Sequence, residues 1–164
     1  MPEAYLELSP EDQKDILQTA AAQLGRQESV LEKDVWVCWA LEALFSMPNA
    51  HPMAFKGGTS LSKVYHIIDR FSEDVDITLD YKNFDDVGYK DYPKKFDPFS
   101  KDASRNQITK YSERLKGYVK SYAQEVIVPY LQSELNELPN KEAHSIEVDD
   151  SGEKIWVYYL SISR

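Results

Sequence analysis

Two short stretches hold the residue types that chemistry needs. The first is Phe55-Lys56-Gly57-Gly58-Thr59-Ser60-Leu61-Ser62-Lys63, and the second is Ser72-Glu73-Asp74-Val75-Asp76-Ile77. Paired glycines at a strand end let the backbone approach an anion closely. The unpaired amides of a following helix start point at that anion, and the helix dipole favours its charge. Thr59 and Ser60 add hydroxyl donors, and Lys63, one turn on, adds a cation for a phosphate oxygen. In the second stretch Asp74 and Asp76 are two apart, so on a strand their carboxylates leave the same face. Held together they repel, and a divalent cation relieves the repulsion. Mg²⁺ takes carboxylates together with phosphate oxygens and water. Two such ions can clamp the attacking and leaving oxygens of an in-line phosphoryl displacement. Either stretch alone says little: most Gly-Gly turns are only turns, and an isolated Asp-x-Asp usually lines a wet strand face. In succession, joined through one helix, they point to phosphoryl-transfer chemistry.

The elements that must position them follow from local pattern. Residues 53–56 form a short strand into the glycines, and 59–69 a helix with Leu61, Val64, Tyr65 and Ile68 on one face. Residues 75–80 alternate as a strand, with Asp74, Asp76, Thr78 and Asp80 outward and Val75, Ile77 and Leu79 inward. Upstream, Ser9-Pro10-Glu11-Asp12 opens a helix and Gly25 closes it, with Ile16, Leu17, Ala20, Ala21 and Leu24 as its apolar face. Ser29-x-x-Glu32 matches a capping box opening a second helix, which Pro48 and Asn49 stop. The wide apolar face of that helix (Leu31, Val35, Cys38, Trp39, Leu41, Phe45) predicts burial on more than one side. Residues 81–100, with Pro93, Pro98 and Gly88, read as a long surface loop. Residues 103–138 are helical in character, with a kink or split expected at Pro129. Residues 144–149 and 154–161 read as a hairpin. The fold class is α+β, a small mixed sheet carrying the Asp strand and flanked by helices.

Bulk properties bound the rest. At 164 residues the chain fits a single domain, 1–164, and 42% hydrophobic residues supply a core. A net charge of −9 excludes a blanket nucleic-acid binder. Yet residues 90–120 hold nine basic residues against four acids, which hints at an anionic partner on one side. Within 81–100 aromatics (Tyr81, Phe84, Tyr89, Tyr92, Phe96, Phe99) alternate with lysines, a pattern that can stack bases, although such rings more often pin a loop to its own domain. Lys110, Arg114, Lys116 and Lys120 follow at helical spacing; a solvated face is the default, and tRNA or an acidic antitoxin surface the functional alternative. The single cysteine, Cys38, reads as packing and fits a reducing cytoplasm. No apolar run is long enough to span a bilayer. His51, His66 and His144 match no metal spacing and read as ordinary surface or core residues. The expected setting is cytoplasmic, with no membrane partner.

The stretch Phe55 to Lys63, with Arg70-Phe71-Ser72-Glu73-Asp74-Val75-Asp76 and the preceding Glu32-Lys33-Asp34-Val35-Trp36-Val37, closely resembles the AbiEii/AbiGii toxin family. That family lies within the DNA polymerase β-like nucleotidyltransferase superfamily. The resemblance implies that fold and a toxin of a bacterial toxin–antitoxin or phage-abortive system. It implies an enzyme that moves NMP from an NTP to an acceptor, in some relatives the 3′ end of tRNA. By matching position, Gly57, Gly58, Thr59 and Ser60 would hold the triphosphate, with Lys63 a further phosphate contact. Asp74 and Asp76 would hold Mg²⁺ or Mn²⁺. The implied partners are the NTP, an RNA acceptor and a cognate antitoxin.

The resemblance also implies a third carboxylate, on a later strand, that orients or deprotonates the attacking hydroxyl. In the family this acid lies beyond the hairpin, so the expectation is a chain lacking the family's C-terminal part. Within these residues Glu147, between Ile146 and Val148, is the nearest substitute; its ordinary reading is the outward face of a hairpin. The competing reading is a truncated, non-catalytic NTP- or partner-binding module.

Overall fold

The computed structural model describes residues 2–56, 74–81 and 96–164. Three helices come first: α1 (Pro2–Leu6), α2 (Pro10–Leu24) and α3 (Glu28–Ser46). Strands β1 (Met53–Lys56) and β2 (Asp76–Leu79) form one antiparallel pair. Helix α4 (Arg105–Tyr122) runs through a π-helical turn (Ala123–Ile127) into α5 (Val128–Glu137). Strands β3 (Ser145–Val148) and β4 (Ile155–Tyr158) form a second antiparallel pair. The α+β class holds, but among the described residues there are two separate two-stranded antiparallel sheets rather than one mixed sheet.

Local signals explain α2 at both ends. The Ser9 hydroxyl accepts from the Asp12 amide at 3.2 Å, Pro10 takes the first turn, and Gly25 closes the helix at φ 62°. Its inward stripe differs from the expected one. Leu17 and Gln13 are buried, while Ile16 is 46% and Leu24 62% exposed. The reason is Gln13, whose Nε2 donates to the carbonyls of Leu6 (3.2 Å) and Leu8 (3.1 Å), at and just past the end of α1. Satisfying those carbonyls turns the 13–17 face inward.

Helix α3 is buried around more than half its circumference, through Leu31, Trp36, Val37, Trp39, Ala43 and Leu44. Burial on more than one side is as expected, but of the six expected face residues only Leu31 and Trp39 are buried; Val35, Cys38 and Leu41 are half-buried and Phe45 is 47% exposed. The capping box does not form: the helix starts at Glu28, and Gln27 precedes it without a side-chain cap. Glu32 is instead drawn into the interior, 3% exposed. Its carboxylate accepts from Ser161 Oγ at 2.9 Å, Ser163 Oγ at 2.7 Å and the Ile162 amide. A buried carboxylate is tolerated when donors satisfy it, and here the donors come from the far end of the chain.

The core joins Trp36, Trp39 and Leu44 of α3 to Tyr111 and Tyr122 of α4 and to Leu131 and Leu135 of α5. Pro129 neither breaks nor ends the long helix. The π-helical turn lies just before it, so the ring, which has no N–H, enters the first turn of α5 where none is needed. In the second hairpin Gly152 adopts φ 73° and is buried against α4, where a Cβ would lie 2.5 Å from Lys120 Cα. The Asp149 carboxylate organises that turn, accepting from Ser151 Oγ at 2.7 Å and the amides of Glu153 (3.0 Å) and Lys154 (3.2 Å). Those bonds, Ser151's first, hold its carboxyl below the usual range.

Candidate functional site

The site is built on β1 and β2. Their register pairs Met53 with Leu79, Phe55 with Ile77 and Lys56 with Asp76. Alternation sends Met53, Phe55, Ile77 and Leu79 toward the interior, where they are half-buried. Phe55 meets Phe45 of α3 edge-on, centroids 5.7 Å apart. The ladder runs on to Asp80, whose amide donates to the Pro52 carbonyl at 2.8 Å. One apolar face thus fixes the strand pair to α3, and the other face is left to solvent.

That outer face carries Ala54, Lys56, Asp76 and Thr78, all exposed. The exposure pattern continues back through half-buried Val75 to exposed Asp74. Asp74 and Asp76 therefore present two carboxylates about 7 Å apart along the chain. Asp80, expected to share this face, is half-buried. Lys56 was not singled out by type or spacing. The antiparallel register sets it directly across from Asp76, with Cβ atoms of such pairs about 5 Å apart. Only the pairing of two strands separated by 57–75 could show this. In sequence, Gly57 follows Lys56, the last residue of β1.

Gly57, Gly58, Thr59, Ser60 and Lys63 lie outside the described residues, as do the expected 59–69 helix, Arg70, Glu73 and His66. Of the aromatic and lysine tract, Tyr81, Phe96 and Phe99 are described.

Glu147 lies in β3, in the other sheet, exposed and directly across from Trp156. Tyr158 on β4 makes a hydrogen bond with it. Removal of the Tyr158 hydroxyl from water, then Glu147's charge and hydrogen bond, push that hydroxyl up. Strand β3 pairs only with β4 among the described residues, so no strand ladder joins Glu147 to Asp76. His51 and His144 do structural work: the first packs on Tyr122 at 4.6 Å and the second on Trp36 at 5.1 Å.

Among the described residues no three His, Cys, Asp or Glu side chains gather as a metal cage. Two outward carboxylates fit the way Mg²⁺ is held beside a nucleotide, by one or two acids with phosphate oxygens and water completing the shell. They do not fit a closed structural zinc site, which needs four protein ligands. Among the described residues no helix is long and apolar enough to cross a membrane.

The family model described as nucleotidyl transferase AbiEii toxin, type IV toxin–antitoxin system, matches residues 39–159. No curated protein and no solved structure matches the chain.

Proposed function

Because that match spans more than half of its length, the chain belongs to the nucleotidyl transferase AbiEii toxin family, and from this premise we propose that it transfers NMP from an NTP to an RNA acceptor such as tRNA. The observation that carries the reading is the outer face of β1–β2: Asp74 and Asp76 exposed together and Lys56 across from Asp76, with Gly57-Gly58 next in sequence after β1.

In this reading Asp74 and Asp76 hold Mg²⁺ or Mn²⁺. The bound ion would neutralise phosphate charge and orient the triphosphate. Gly57, Gly58, Thr59 and Ser60 cradle the β- and γ-phosphates through amides and hydroxyls, and Lys63 adds a contact. Lys56 supplies a fixed positive charge on the same face, which eases the repulsion between the carboxylates before a metal arrives and draws the anionic nucleotide in. The acceptor hydroxyl oxygen attacks the α-phosphorus, the bond to the β-phosphate oxygen breaks, and pyrophosphate leaves with that electron pair. The hydroxyl proton passes to a base, for which Glu147 is the strand acid on offer. We place the reaction in the cytoplasm, where NTPs and RNA are found, with a cognate antitoxin as the counterpart that restrains it.

The test is calorimetric titration of Mg²⁺–NTP into the intact chain and into Asp74→Asn/Asp76→Asn, followed by transfer of labelled NMP to tRNA. Metal-dependent binding that vanishes in the double variant, with unchanged circular dichroism, is the expected outcome. Equal binding and transfer in both proteins would sink the site. A second reading, a non-catalytic NTP- or partner-binding module, draws on the engagement of Glu147 by Tyr158 and its place in the other sheet. It predicts NTP binding without transfer, and no change in Glu147→Gln.

A further inference from the structure

Helix α4 divides by charge. Tyr111, Leu115, Tyr118 and Tyr122 recur at helical spacing and pack on the core. Arg105, Lys110, Lys116 and Lys120 fall away from that stripe, Arg114 flanks it, and Glu113 is the one acid in the helix. In a chain of net charge −9 this is a concentration against the bulk. Arg105, Lys110, Lys116 and Lys120 are exposed and make no ion pair among the described residues. The five span about 22 Å of helix. The helix start is fixed by a reciprocal cap between Ser104 and Gln107, so the charges sit on a rigid rod.

Six residues before that helix stands Phe99, 81% exposed, well above every other exposed large apolar side chain among the described residues. Its backbone is held by the Asp97 carboxylate, 2.9 Å from the Phe99 amide. Its ring meets Tyr81 at 6.2 Å, and Tyr81 meets Tyr111 of α4 at 6.4 Å. The exposed ring is thus tied through Tyr81 both to the core-facing side of α4, at Tyr111, and to the strand that carries Asp76. Along extended chain, Asp76 and Tyr81 are about 16 Å apart.

We propose that Phe99 and the outer half of α4 form the docking track for a single-stranded nucleic acid, with a base stacked on Phe99 and phosphates along Arg105, Lys110, Lys116 and Lys120. An aromatic face beside a row of cations is the general recipe for strand binding without sequence preference. An acidic protein surface would satisfy the cations but gives no reason for the exposed ring. The proposal rests on the transferase reading for its role, because it names where the acceptor strand lies relative to Asp74 and Asp76.

The experiment is fluorescence anisotropy of a labelled single-stranded RNA of about 12 nucleotides, within the usual site size, over a salt series. Proteins compared are the intact chain, Lys110→Glu/Lys116→Glu/Lys120→Glu, Phe99→Ala and Phe99→Trp, each checked for fold by circular dichroism. Expected are loss of at least about tenfold in affinity and a salt slope shallower by about 2 in the charge variant, since each phosphate contact on a single strand adds about 0.7. Phe99→Ala should bind about tenfold more weakly with the slope unchanged, and Phe99→Trp should retain binding. Undiminished RNA binding in both the charge variant and Phe99→Ala would overturn the track. So would loss of poly-glutamate binding in the charge variant with no RNA binding by the intact chain. Mg²⁺–NTP binding measured on the same preparations separates the two readings. NTP binding without RNA binding removes the track alone. RNA binding without NTP binding removes the transferase reading and leaves the track as a nucleic-acid surface.

Discussion

Glu32 shows how one side chain can hold two ends of a chain. Its carboxylate accepts from Ser161, Ile162 and Ser163 while sitting 3% exposed in α3. Its charge reaches Tyr5, whose hydroxyl is pushed up to about 12, first by burial and then by Glu32. Glu32→Ala would strand three donors in the interior, and the loss should be about 3 kcal/mol, read from the urea midpoint at constant m-value. Wild-type stability in that variant would mean that the donors find water. His144 makes the pH prediction. Burial lowers its imidazole from the ordinary 6.5, with a hydrogen bond to the Pro139 carbonyl opposing, and its Nδ1 accepts from the Leu160 amide at 3.4 Å. The folded state therefore binds this proton less readily than the unfolded chain. Its contribution is present above the unfolded value and is lost as pH falls through the lower, folded one. Stability should rise with pH across the window just below about 6.5, and His144→Phe should flatten that slope in denaturant titrations repeated at several pH values.

At the scale of elements, the strand pair is fixed by one apolar face, and the second hairpin by one face and one turn. Gly152 is the tightest point. It combines φ 73° with a backbone approach to Lys120 that leaves no room for a methyl group. Gly152→Ala should lower stability by about 2–3 kcal/mol or more, from overpacking added to the positive-φ penalty. A thermal midpoint within a degree or so of the parent would contradict that packing. Helix α2 was legible end to end because Ser9, Pro10 and Gly25 act on their own neighbours. Its inward face was not, because Gln13 answers carbonyls at the end of α1. The same limit explains Ser29. Its spacing to Glu32 met the capping-box pattern, but the carboxylate was claimed by residues 161–163.

At the scale of the molecule, the C-terminal residues close onto α3, and this closure can be tested as a unit. Removing residues 161–164 and substituting Glu32→Ala should each destabilise, and the two together should lose little more than either alone, because they break one interaction from its two sides. Additive losses in a double-mutant cycle would show that the segment contributes elsewhere. Charge is also organised at this scale. The basic half of α4 opposes an otherwise acidic chain, so its influence on an anionic partner depends on where the helix lies rather than on net charge.

The sequence by itself determined the family, the alternation that turns Asp74 and Asp76 outward together, the caps of α2 and the two-sided burial of α3. These depend on residue type, on contiguous spacing and on the fixed periods of strand and helix. The tertiary structure alone decided that Lys56 stands opposite Asp76, that Glu32 anchors the end of the chain, that Glu147 belongs to a separate sheet, and that Phe99 is tied through Tyr81 to a basic helix. Each of these joins residues far apart along the chain. Such pairings depend on strand register and on competition for buried hydrogen bonds, which no local pattern encodes.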